Sequence, residues 1–281
     1  MSPALFVSIL LAAPPTVETG LWGLELGASP EAVRTAFAPT GEPRTLRWTQ
    51  EKRDGILRVA VRCEAQSLCF AVPAEADFDF VDNRLVAATL RADAERAPAA
   101  QPARDVLLGV SATSGLTVAD ASSRSVGRFT RYFVRPRHTV AWVQDGPDVE
   151  IKLYLDDVTP LGRAEAVAAG AKADLAAFPG AVAYASAHRA IAQKDFGGAI
   201  EALDALLTTA GASVFLRRQA TLVLAMALAA RAQRWSRSPT TAPGNWAQQA
   251  ADDLKRAAAL APSLATEFEA LSRRIAAGPK P

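Results

Sequence analysis

Few residue types in this chain have the type and spacing for chemistry. It has 281 residues and two histidines, His138 and His188, and neither has a metal-ligand partner at i+3 or i+4. Its two cysteines, Cys63 and Cys69, are six positions apart with no histidine near them, so they form an incomplete zinc shell. No nucleophile elbow, phosphate-cradling loop, dinucleotide fingerprint or HExxH pair occurs in the sequence. Asp77 and Asp79 alternate along one strand and read as a solvated strand face rather than an acid–base pair. Asp156-Asp157 reads as a strand end or helix cap. The expectation is therefore no catalytic residue, no cofactor and no metal site, with an enzyme of unrecognised site as the least favoured reading.

Two features carry more information. Strand-like residues flank Cys63 and Cys69, and a hairpin of that size meets the Cα separation a disulfide needs. The pair is expected to be oxidised in an oxidising compartment, contributing roughly 2 kcal/mol through its small loop. The competing reading is two small buried hydrophobes. Arg124, Arg128, Arg131, Arg135, Arg137 and His138 fall within fifteen residues, and no Asp or Glu occurs from Ala121 to Gln144. Strand alternation places Arg131, Arg135 and Arg137 on one face with Phe129 and Phe133. That face suits an anionic partner such as lipid headgroups, a polymer or an acidic protein, or it is a wet face whose acids come from other strands.

The elements that must position these residues fall into two blocks. Residues 16–160 read as an α+β domain, an antiparallel sheet with two helices. Ser29-Pro30-Glu31 caps and opens a helix that must stop before Pro39. Asp54-Gly55 and Asp82-Asn83 supply tight turns between strands. A proline-bounded linker over 92–102 precedes a second helix at Ala103–Ala112. Further strands are expected at Leu21–Leu26, Leu68–Val72, Val126–Arg135, Thr139–Val143 and Val149–Leu155. In the last of these, Val149, Ile151, Leu153 and Leu155 face a core and Glu150, Lys152 and Tyr154 face water.

Strand character vanishes after Arg163. The chain has 61 alanines, 37 of them in its last 118 residues, where small side chains let helices pack closely. Residues 164–277 read as an all-α helical-hairpin domain, with a terminal helix over Ser263–Ala276. At the other end, Ala4–Ala13 (ALFVSILLAA) spans roughly 15 Å as a helix, too short to cross a bilayer. It reads as the apolar core of a signal peptide over 1–15, although no Lys or Arg precedes it and Pro14-Pro15 follow. Export to the periplasm or envelope is the expectation, and a cytoplasmic location follows if the segment does not act as a signal. No cysteine follows that run, so no lipid anchor is expected. Net charge is +2, giving no push toward nucleic acid.

Two resemblances add to this. Phe196, Ala199 and Ile200 on one helix, and Ala250, Leu254, Ala257 and Pro262 on another, resemble the helix junctions of a tetratricopeptide repeat. Ala199 to Ala250 is 51 residues against a family period of about 34, and the polar segment Arg234–Asn245 is expected to hold most of the surplus. Leu26–Val33 resembles the strand-to-helix start of small lipoproteins of the outer-membrane β-barrel assembly machine, over some ten residues. The tetratricopeptide resemblance implies a protein or peptide partner on the helical domain. The expected function is a non-catalytic protein-interaction or scaffold module of the bacterial envelope. The alternative is a periplasmic chaperone or outer-membrane assembly factor.

Overall fold

The structure, a computed structural model, describes residues 16–19, 24–37, 46–64, 75–93, 119–121, 128–145 and 148–277. The chain is an antiparallel sheet region followed by an all-helical region. The signal segment, the expected strand at 68–72, Cys69, most of the linker, the helix at 103–112 and Arg124 lie outside the described residues.

Two short strands, β1 (Val17–Glu18) and β2 (Glu25–Leu26), pair with each other and lead into α1 (Pro30–Phe37). As expected, the Ser29 hydroxyl caps α1, accepting from the Ala32 N–H at 3.2 Å. The main sheet holds β3 (Leu46–Arg53), β4 (Ile56–Cys63), β5 (Glu75–Val81), β6 (Arg84–Asp93), β7 (Ala119–Ala121), β8 (Arg128–Val134), β9 (His138–Asp145) and β10 (Asp148–Leu155). Their order is β3-β4-β5-β6-β10-β9-β8-β7. The β3–β4 and β5–β6 turns are tight because Asp54, Gly55, Asp82 and Asn83 all take left-handed backbone angles, which these residue types adopt cheaply.

One sheet face forms the main core. Phe78, Phe80, Ile151, Leu153 and Leu155 are each at most 1% exposed, and Leu24, Leu26 and Val33 from β2, its approach and α1 pack on them. The opposite face is not simply wet, and this corrects the reading of Asp77 and Asp79 as a solvated face. Arg62, Glu75, Arg91 and Glu150 stand in direct register across β4, β5, β6 and β10, alternating in sign. Asp79 accepts from Arg58 at 2.7 and 2.8 Å, and Asp77 accepts from Arg91 at 2.9 Å. The face cancels its own charge.

Beyond that ladder the same face is covered by α2 (Leu161–Ala168), so Tyr154 is buried rather than facing water. Ala166 packs with Tyr132, Val134, Ala141 and Tyr154, while Ala164 belongs to the helical core. The helix thus joins the small cluster on this outer sheet face to the core of the helical region. Gly162 makes the close approach possible, because a Cβ at that position would overlap the Tyr154 ring.

Five further helices follow: α3 (Ala181–Ala192), α4 (Phe196–Thr208), α5 (Val214–Arg237), α6 (Trp246–Leu260) and α7 (Ala265–Ala276). Each packs on the next, and α5 also touches α3 and α7. Ala187, Ala199, Ala250 and Ala257 are fully buried at these contacts. The expected loop at Arg234–Asn245 is shorter than anticipated. Most of the extra length is helix, because α5 runs 24 residues and ends only at Arg237. The first helix of the alanine-rich stretch stops at Ala168, and Gly170 just after it takes a left-handed angle. The terminal helix begins at Ala265, after a short turn at Pro262–Leu264.

Gly162→Val is expected to lift α2 from the Tyr154 ring and cost about 2–3 kcal/mol, the scale of forced overpacking. A lowered urea midpoint with both regions still folded by circular dichroism checks this. An unchanged midpoint would mean that α2 does not clamp the sheet.

Candidate functional site

The strand expected to carry the arginine face ends one residue earlier than expected. β8 ends at Val134, and Arg135 lies in a tight turn closed by its N–H to the His138 carbonyl at 2.9 Å. Arg135 and Arg137 therefore leave the strand alternation. Arg131 remains in β8, in register with Trp142 on β9 and Asp120 on β7. Arg137 is exposed, whereas Arg135 is half-buried and its Nε is enclosed without a partner among the described residues. Burial pulls the Arg135 pKa down.

The same turn belongs to a buried cluster that sequence reasoning missed. Asp156, 1% exposed, follows β10. Its carboxylate accepts from Arg163 Nε at 2.9 Å and Nη2 at 2.5 Å, and from the Thr139 hydroxyl at 3.0 Å. Arg163 also donates to the Arg135 carbonyl, and its guanidinium lies 5.7 Å from the Phe178 ring centroid. Thr159 ties the following loop to the sheet, donating to the Val86 carbonyl at 3.0 Å. Burial pushes the Asp156 carboxyl up to about 6, against the pull of Arg163 and Thr139. His138, 6% exposed, is pushed down to about 4 by burial and by Arg135, Arg163 and Arg137.

A second cluster lies further along α2. The chain's three tyrosines converge on Glu165, which keeps some exposed surface while its carboxyl is desolvated. Tyr184 from α3 donates to Glu165 Oε1 at 3.4 Å, and Tyr132 from β8 also hydrogen-bonds the carboxylate. Tyr154 lies alongside, and Lys152 is the cation acting on Glu165. Burial raises the Glu165, Tyr154 and Tyr184 pKa values. His188 tilts against Tyr184 with ring centroids 4.4 Å apart, and burial lowers its pKa. Both clusters fasten the sheet to the helices. No group of three potential metal ligands occurs among the described residues.

The third arrangement is open to solvent. The large exposed apolar residues among the described ones are Val182 on α3 and Leu222 and Met226 on α5. At 100° per residue, Leu222, Met226, Ala230, Gln233 and Arg237 fall within about 80° of one another around α5. This stripe runs into a groove of about 740 Å³ between α5, α6 and α7, lined by Trp246, Leu254, Leu271 and Ile275 and by the polar Gln233 and Ser236. The repeat-packing residues Ala199, Ala250 and Ala257 are buried at helix contacts, Phe196 is half-buried beside Trp235 and Arg231, and Pro262 opens the turn before α7. Cys63 ends β4 opposite Leu46. In comparisons with family models, curated proteins and solved structures, nothing matches this chain. No helix among the described residues is long and apolar enough to cross a membrane.

The buried cluster gives stability two opposing pH dependences. His138 falls from an ordinary 6.5 to about 4, so its contribution is present above 6.5 and lost as pH falls toward 4. Asp156 rises from 3.8 to about 6, so its contribution is present below 3.8 and lost as pH rises through 6. Relative to the parent, His138→Gln is expected to remove the acid-side loss and Asp156→Asn the loss on raising pH. Urea midpoints measured across this window should show the two difference curves sloping in opposite directions, and parallel curves would refute the assignment.

Proposed function

We propose that this chain is a non-catalytic protein-interaction or scaffold module of the bacterial cell envelope, with a helical region of tetratricopeptide type as its docking part. The observation that carries the reading is the apolar stripe on α5 opening into the α5–α6–α7 groove. An alternating stack leaves every second helix, α3, α5 and α7, in one layer, and the exposed Val182, Leu222 and Met226 lie on two of these. Apolar side chains grouped at solvent in this way mark contact surfaces. The full burial of Ala199, Ala250 and Ala257 supports the repeat-type packing. The titratable clusters, by contrast, are occupied in holding α2 to the sheet, which speaks for a scaffold rather than a reaction centre.

Export through the 4–13 segment and a Cys63–Cys69 disulfide belong to the same proposal. No free cysteine occurs among the described residues, which supports the pairing. The alternative of a periplasmic chaperone or assembly factor draws on the same stripe, because the exposed Met226 adapts to varied apolar clients.

A photo-crosslinking residue at Met226 is expected to trap a defined partner in the envelope fraction, whereas one at the exposed Glu201 of α4 is not. Equal labelling, or none, from both positions would overturn the docking reading. A single partner favours the scaffold, and many unfolded clients favour the chaperone. Mass spectrometry of the exported protein should show a terminus lacking Met1–Ala13 and a mass gain of two hydrogens on reduction.

A further inference from the structure

The groove has a sign as well as a shape. Arg237 and Arg274 line it, in the last turns of α5 and α7, and no carboxylate does. Neither arginine makes an ion pair among the described residues. By contrast, Arg231, on the same helix as Arg237, is held by Asp253 at 2.7 and 2.8 Å, and Arg256 pairs with Asp204. Each helix C-terminus offsets about half a charge, so the two arginines and two helix ends leave about one unit of positive charge over an apolar floor. The walls also hold Gln233, Ser236 and Ser272. Ser236 already donates to the Gln233 carbonyl at 2.9 Å, but a peptide backbone can hydrogen-bond the Gln233 amide and the Ser272 hydroxyl, whereas an acyl chain would offer them no partner.

We propose that the stripe and groove dock an acidic protein segment carrying bulky apolar side chains. The apolar side chains fill the floor between Trp246, Leu254, Leu271 and Ile275, and the carboxylates meet Arg237 and Arg274. Leu222 and Met226 extend the contact along α5. The inference rests on the reading of the helical layer as a docking surface and adds the charge of its occupant.

The test uses the full chain and short fluorescent peptides that share Leu and Phe anchors but carry Glu, Ser or Lys at the remaining positions. Fluorescence anisotropy at low salt is expected to rank Glu above Ser above Lys, with about tenfold between the extremes, the scale of two partly exposed charge contacts. The double variant R237E/R274E is expected to reverse that order. Met226→Ser should weaken all three peptides without changing their order. Both arginines are exposed, so the double variant is expected to keep the parent urea midpoint.

Equal affinity for the Glu and Ser peptides, or an order unchanged in R237E/R274E, overturns the acidic partner while leaving the docking surface standing. No binding by any peptide, together with no cross-link from position 226, overturns both. Preference for anionic phospholipid vesicles over the Glu peptide would assign the groove to a membrane and overturn the proposal. So would a concentration-dependent dimer abolished by Met226→Glu, which would assign it to a second copy.

Discussion

A carboxylate cannot be left alone in a protein interior, and Asp156 is 1% exposed. Much of the joint between the two regions follows from meeting that constraint. Arg163 must come close enough to donate twice, which fixes the start of α2 against the end of β10. Thr139 must present its hydroxyl from β9, and the β8–β9 turn must offer the Arg135 carbonyl to the same guanidinium. Removing either member of such a buried pair leaves an unpaired charge, so the pair specifies geometry more than it adds net stability.

The position of α2 then determines what it covers. Gly162 rests on the Tyr154 ring, and Glu165 is brought under Tyr132 and Tyr184. Ala164 and Ala166 sit in different hydrophobic cores one helical turn apart at most. The sheet and the helical stack are therefore tied by packing, by a buried ion pair and by a hydrogen-bonded carboxyl. That packing gives the α5 surface a fixed orientation relative to the sheet.

Charge is distributed in the same logic. On the outer sheet face four basic and four acidic side chains answer each other across β4, β5, β6 and β10, which leaves little field for a partner. In the helical region Arg231 and Arg256 are answered too. Arg237 and Arg274 are not, and they flank the open apolar groove. At the groove, unanswered charge lies beside open apolar surface.

The sequence alone determined the local elements. The cap at Ser29, the turns at Asp54-Gly55 and Asp82-Asn83, the alternation of Val149–Leu155 and the alanine-rich shift after Arg163 are all written in neighbouring residues, because hydrogen bonds and periodicities over a few positions depend only on neighbours. Only the tertiary structure decided which distant groups meet. Arg58 finds Asp79 across 21 positions, Tyr184 finds Glu165 across 19, and the groove joins residues of α5 and α7 that are far apart in the chain. The expected strand through Arg135 ends early for the same reason: alternation holds while a strand continues, and β8 gives way to a turn after Val134. Register, turn placement and burial are set by the whole packed chain, so the sites that depend on them were not legible residue by residue.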